Sequence, residues 1–119
     1  MTTNRGTAKW MAPECMALPS AGDGASADYA LSADIYSTGL LLWAIASRRY
    51  PYSEMRSTAE LMRAVKGGAR PALPLTCPPD WADLIERCWD GEPARRPEIA
   101  RVHEILHAMH PDEMPADDR

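Results

Sequence analysis

Three histidines, His103, His107 and His110, recur at i, i+4 and i+7. On a helix this spacing gathers them on one side, where imidazole nitrogens could bind a transition metal. No carboxylate stands in an obvious position to complete the shell, so a solvated helix face accounts for them better. The cysteines Cys15, Cys77 and Cys88 form no C-x-x-C pair. An odd count without metal spacing reads as reduced thiols in a cytoplasmic protein. Two acids stand out by context. Glu14 closes an apolar knot, Trp10-Met11-Ala12-Pro13, and Asp34 sits on the first turn of an otherwise apolar segment. An acid at a helix start is favoured by capping and by the helix dipole.

The elements that must position these groups are helical. Residues 1–9 are polar and unpatterned, and 17–32 are rich in Ala, Ser, Gly and Asp, which reads as a surface loop. Ser32 or Ser37 is expected to cap a helix running to about Ser47. Ile35, Tyr36, Leu40 to Ala46 leave that helix almost no polar stripe, so it needs cover all round, and since the chain offers only three further helices, some of its neighbours are expected to be missing here. Ser57-Thr58-Ala59-Glu60 fits a capping box before Leu61, Met62 and Val65, and Gly67-Gly68 closes that short helix. After the proline-rich stretch 71–79, Trp81, Leu84, Ile85, Cys88 and Trp89 fall at i, i+3, i+4, i+7 and i+8. A last helix is expected to begin with Pro97 in its first turn and Glu98 beside its positive end. Its apolar stripe would be Ile99, Val102, Ile105, Leu106 and Met109, with Pro111 as its stop. No strand and no repeat is evident, and the reading is all-α, with residues 1–110 as one domain and 111–119 as a frayed acidic tail.

Size and charge narrow the function classes. The chain has 119 residues, 45% of them hydrophobic and 25% charged, an ordinary globular composition. One modest core is possible, burying roughly 65% of the unfolded surface. Net charge is −4 and the basic pairs Arg48-Arg49 and Arg95-Arg96 are isolated, which argues against nucleic acid or an anionic membrane as partner. The longest apolar run, Leu40 to Ala46, is far short of the ~20 residues that span a bilayer.

The order of features is more specific than any one of them. Gly6-Thr7-Ala8-Lys9-Trp10-Met11-Ala12-Pro13-Glu14 resembles the end of a protein-kinase activation segment, closing on A-P-E. Ser32-Ala33-Asp34-Ile35-Tyr36-Ser37 through Trp43 resembles the start of the buried central helix of the kinase large lobe. Tyr50-Pro51-Tyr52, Cys88-Trp89, Pro93 and Arg96-Pro97 follow in the family's order. Trp-Met-Ala-Pro-Glu and Gly6-Thr7 favour the tyrosine-kinase-like serine/threonine group. The fold implied is part of a kinase C-lobe: the activation-segment end plus about four main helices.

The resemblance implies roles at matching positions. Glu14 would pair with Arg96, Asp34 would brace the backbone of the catalytic loop, and Thr7, Ala8, Lys9 and Trp10 would floor the substrate site. Leu41 and Ile45 would support the side-chain column beneath the adenine pocket. Thr2 and Thr3 lie where activation-loop phosphosites occur. Ala44 departs from the Glu that many members carry, which puts any preference for basic substrates in doubt.

Phosphoryl transfer needs a glycine-rich loop, a Lys–Glu pair, an H-R-D loop and D-F-G to hold magnesium. No G-x-G-x-x-G, H-R-D or D-F-G string occurs in the chain, and its only lysines are Lys9 and Lys66. The expectation is a fragment of a serine/threonine kinase domain, catalytically inactive by itself and binding no metal or cofactor. ATP and Mg would belong to a full-length parent, and the partner would be a protein substrate or the missing remainder of the kinase domain. The alternative is a non-catalytic, pseudokinase-like interaction module.

Overall fold

Nothing between Ala27 and Ser47 stops a helix: no proline is present, and the single glycine, Gly39, is enclosed. In this computed structural model, which describes residues 8–16, 27–109 and 115, the whole stretch Ala27–Ser47 is one 21-residue helix, α1. It therefore starts before Ser32 and Ser37, inside the segment read as loop. Both serines looked like caps because their hydroxyls bond backbone readily. Here those hydroxyls point elsewhere: Ser32 Oγ donates to the Tyr29 carbonyl at 3.2 Å, and Ser37 Oγ to the Trp10 carbonyl at 2.6 Å.

Helix α2, Thr58–Lys66, carries the expected local signals. Ser57 Oγ accepts the Glu60 N–H at 3.0 Å, while the Glu60 carboxylate accepts the Arg56 N–H at 3.0 Å. Its end is a Schellman turn. The Ala69 N–H donates to the Ala64 carbonyl at 2.9 Å and the Gly68 N–H to the Val65 carbonyl at 3.0 Å. Gly68 has φ +108°, where a side chain would be strained.

Helix α3, Pro79–Cys88, opens on proline and buries Trp81, Leu84, Ile85 and Cys88, as its spacing predicts. Helix α4 is Ile99–Ala108. Pro97 lies outside it, not in its first turn. Arg96, restricted by the following proline, is extended at φ −75°, ψ 144°. Of the expected α4 stripe, Val102 is buried and Ile105, Leu106 and Met109 are partly covered, but Ile99 is exposed. Among the described residues there are four α-helices, two short 3-10 turns (Pro13–Cys15 and Pro93–Arg95) and no strand. Pro111 and most of the acidic tail lie outside the described residues.

The core is built by α1 against α3. Gly39 makes their approach possible, since a Cβ there would stand 2.7 Å from the Cys88 Cβ. The indole N–H of Trp81 donates to the Leu42 carbonyl at 3.1 Å, and that of Trp43 to the Ala72 carbonyl at 2.8 Å. By length and composition alone, Tyr29–Ser47 could cross a bilayer. Its hydrogen bonds to Trp10 and Ala72, and its packing on α3, make it the central helix of this assembly.

Within this chain α1 is not buried all round, in keeping with the expectation that some of its neighbours are missing. Ile35, Tyr36, Leu40, Leu42 and Trp43 are buried, but Leu31, Leu41 and Ile45 are 57%, 53% and 50% exposed. With Asp34 and Thr38 they fall at alternating spacings of three and four, which is one continuous stripe along the helix. The described segments cover α1 from one side only, and its uniform apolarity cannot by itself summon a partner for the other.

Candidate functional site

Arg96 is the centre of the densest polar arrangement among the described residues. Its side chain is fully enclosed, at 0% exposure, and Glu14 is 18% exposed. Nη1 and Nη2 donate to the two Glu14 carboxylate oxygens at 2.8 and 2.9 Å. Nη1 also reaches the Ser32 carbonyl at 3.0 Å, and Nε donates to the Asp90 carbonyl at 2.8 Å. One guanidinium thus ties together the Pro13–Cys15 turn, the first turns of α1 and the turn after α3. Its planar fork suits this bidentate geometry, which an ammonium could not reproduce.

The ionisation of Glu14 follows from these contacts. Burial alone would raise its carboxyl. The hydrogen bonds and charge of Arg96 outweigh that and hold it below its ordinary value of 4.5. Tyr29 on α1 adds a second tie, donating from its hydroxyl to the Glu14 carbonyl at 3.1 Å.

Beneath Arg96 lies Tyr36, completely buried. The guanidinium carbons of Arg96 and Arg70 stand 5.0 and 5.1 Å from its ring centroid, within cation–π range. Arg70 is held by the carbonyls of Trp89, Val65 and Ala69 at 3.0, 3.2 and 2.7 Å. Burial raises the hydroxyls of both Tyr36 and Tyr52 above the ordinary tyrosine value, that of Tyr52 strongly. Arg70 and Tyr36 belong to no motif that marks them as site residues. The signal was a tyrosine inside an apolar run, which needs a polar neighbour when buried.

The expected substrate floor is only partly an accessible surface. Ala8 is buried in the core, while Lys9 and Trp10 are half-buried. Thr7, Thr2 and Thr3 lie outside the described residues. The segment is held down at Trp10, whose carbonyl takes the short bond from Ser37.

Asp34 is exposed, not buried, and its own carbonyl accepts the Thr38 hydroxyl at 2.9 Å. It lines an open groove of about 790 Å³ between the first turns of α1 and residues 93–100, which also presents Leu31, Pro97 and Ile99. His103 and His107 stack in the open on α4 with ring centroids 5.8 Å apart, and His110 lies outside the described residues. Among the described residues no group of three or more His, Cys, Asp or Glu could hold a metal ion.

Comparison with known proteins bears on this arrangement. The family model described as protein tyrosine and serine/threonine kinase matches residues 1–106. The probable serine/threonine-protein kinase roco7 of Dictyostelium discoideum is 37% identical over 105 residues, 85% of this chain and 4% of that protein. Mitogen-activated protein kinase kinase kinase 7 of Homo sapiens is 35% identical over 111 residues, 92% of this chain and 17% of that protein. The probable serine/threonine-protein kinase drkD of Dictyostelium discoideum is 34% identical over 104 residues. The chain spans less than a fifth of the length of each of these relatives.

Proposed function

Because the chain belongs to the protein tyrosine and serine/threonine kinase family, on its tyrosine-kinase-like side, we propose that it is the substrate-side scaffold of a serine/threonine kinase domain. In the parent protein the domain transfers the γ-phosphoryl group of ATP to serine or threonine. The residues that hold Mg and ATP and remove the proton from the acceptor hydroxyl lie in other parts of that parent. By itself the chain is catalytically silent, and its location is cytoplasmic.

One observation carries this reading: the stripe of exposed Leu31, Asp34, Leu41 and Ile45, with half-buried Thr38 between them, on the central helix. A soluble helix rarely leaves such a run open when it serves as a finished surface. The rest of a kinase domain, with its catalytic loop backbone, would cover it and give the Asp34 carboxylate its N–H partners. The Glu14–Arg96 pair supports the same reading, since it holds the end of the activation segment onto the closing helices. Ser37 holds the substrate floor at Trp10 in the same way. The unbridged thiols of Cys15, Cys77 and Cys88 suit a reducing compartment.

The test is reconstitution. The purified 119-residue chain is assayed for transfer to a generic serine/threonine substrate, alone and after co-expression with the upstream half of a related kinase domain. Transfer only in the mixture is expected, and it should vanish with Asp34→Ala or Leu41→Lys. Transfer by the chain alone, or stable pairing that ignores both substitutions, would overturn the reading in favour of a self-sufficient enzyme or an interaction module.

A further inference from the structure

Charge is segregated along this chain. Between residues 48 and 66 stand Arg48, Arg49, Arg56, Arg63 and Lys66 against Glu54 and Glu60, whereas residues 71–119 hold eleven acids and five bases. The basic excess is concentrated on one connected piece of structure, the loop leaving α1 and the helix α2 that follows it. Two acids, Glu54 in the loop and Glu60 at the helix start, are also exposed, the Glu60 carboxylate taking the Arg56 backbone N–H at 3.0 Å, so the five bases leave a net excess of positive charge. Arg63 and Lys66 stand exposed at i and i+3 on the outer side of α2, while Leu61 and Val65 face the core. Near the helix C-terminus they complement the dipole, but that role leaves their charged ends in water.

The loop is held in a fixed shape. Tyr52 is 4% exposed and Pro51 is fully buried, so two anchors nail it to the core. Arg48 and Tyr52 have φ of 61° and 58°, positions that non-glycine residues occupy only where surrounding packing enforces them. Between the anchors and the end of α1, Arg49 and Tyr50 project outward, Tyr50 at 76% exposure. The inner face of α2 packs beside the Pro13–Cys15 turn, so the helix is fixed against the core and its basic outer face is left to solvent.

We propose that the Arg48–Arg56 loop and the outer face of α2 form a preformed basic surface that takes an acidic stretch of a protein substrate. The inference rests on the reading of the chain as a kinase substrate-side scaffold and adds the class of substrate. A short acidic peptide covers only this surface and gains its attraction. A nucleic acid, being longer and uniformly charged, would also meet the repulsion of a chain whose net charge is −4. A preformed loop adds affinity because little ordering remains to be done on binding. Ala44, on the last turns of α1, supplies no carboxylate that would attract a basic peptide instead.

The experiment is fluorescence anisotropy with the 119-residue chain and a labelled peptide of one serine flanked by glutamates, against the same peptide with glutamines. The glutamate peptide is expected to bind about tenfold tighter, and the preference should shrink as salt rises from about 0.05 to 0.5 M. The double variant Arg63→Glu, Lys66→Glu should erase the preference, and Lys66→Gln should reduce it without charge reversal. Both side chains are exposed, and an unchanged circular-dichroism spectrum checks that folding is intact. Equal binding of the two peptides, or a preference that survives the double variant, would overturn the proposal. Tighter binding of single-stranded DNA than of the glutamate peptide would also overturn it, in favour of a nucleic-acid surface. No ATP or transfer is involved, so failed reconstitution bears on the scaffold reading alone, and failed peptide selection bears on this surface alone.

Discussion

The guanidinium of Arg96 and the carboxylate of Glu14, 82 residues apart in sequence, meet through parallel hydrogen bonds of 2.8 and 2.9 Å. The geometry is enclosed on the arginine side and only slightly open on the glutamate side. Removing one partner leaves the other charge uncompensated. Arg96→Ala is expected to destabilise the fold by about 3–5 kcal/mol, and Arg96→Lys to recover only part of that, because an ammonium cannot hold Glu14, Ser32 and Asp90 at once. Urea denaturation of the three chains checks the order. Equal stability of Arg96→Lys and the unaltered chain would contradict it.

The same pair makes stability depend on acid. The folded Glu14 carboxyl lies below its ordinary 4.5, burial being outweighed by the Arg96 hydrogen bonds. Unfolding raises its affinity for a proton, so the pair stabilises the fold fully above about 4.5 and its contribution is lost as pH falls through the lowered folded value. Thermal midpoints measured from pH 6 to pH 3 should drop in that lower interval. In Glu14→Gln the chain starts less stable and that step is missing.

Gly39 and Gly67 separate close packing from simple helix propensity. A Cβ at Gly39 would lie 2.7 Å from the Cys88 Cβ, whereas at Gly67 the nearest contact is 3.5 Å. Gly39→Ala should cost about 1–3 kcal/mol by forcing α1 and α3 apart. Gly67→Ala should change stability by less than about 0.5 kcal/mol. Denaturation midpoints distinguish them, and equal effects would mean the helices separate freely.

The open stripe on α1 predicts an apolar surface that binds dye. The 119-residue chain should enhance the fluorescence of 8-anilinonaphthalene-1-sulfonate while keeping a cooperative melt. Leu41→Lys and Ile45→Lys should lower that signal and alter stability by only about 0.5 kcal/mol, as expected of exposed sites. A large loss of stability would mean the stripe is already covered.

Cys88 should be the slowest thiol. Burial pushes it up to about 11, and it lies under Gly39 of α1. Cys15 and Cys77 are only half-buried. Mass-spectrometric alkylation at pH 8 should therefore modify Cys88 last, at a rate that follows global unfolding. Early modification of Cys88 would show that α1 and α3 open locally.

How much could be read in advance varies by element. Helix α2 was legible because its signals are local: Ser57 and Glu60 three residues apart, and two glycines at the end. Helix α3 was legible because Trp81, Leu84, Ile85 and Cys88 repeat with the helical period and face one core. The start of α1 was not, because Ser32 and Ser37 have the chemistry of caps and only the positions of the Tyr29 and Trp10 carbonyls show them bonding elsewhere. Pro97 suggested a helix start by residue type, but Arg96, anchored by four acceptor atoms, holds the chain extended there.

The sequence by itself determined the family, the all-helical composition and the identity of the residues that could form an ion pair. Those properties reside in short strings and in a period of 3.6 residues, both of which act over a few neighbours. Only the tertiary structure decided which side of α1 is covered, that Tyr36 lies against Arg70 as well as Arg96, and that Glu14 and Arg96 share a site with the Ser32 and Asp90 carbonyls. A helix apolar on every side carries no direction in its sequence. Its covered face is set by the helix that can approach most closely, and that approach is at Gly39, where α3 brings Cys88 into the space a side chain would have filled.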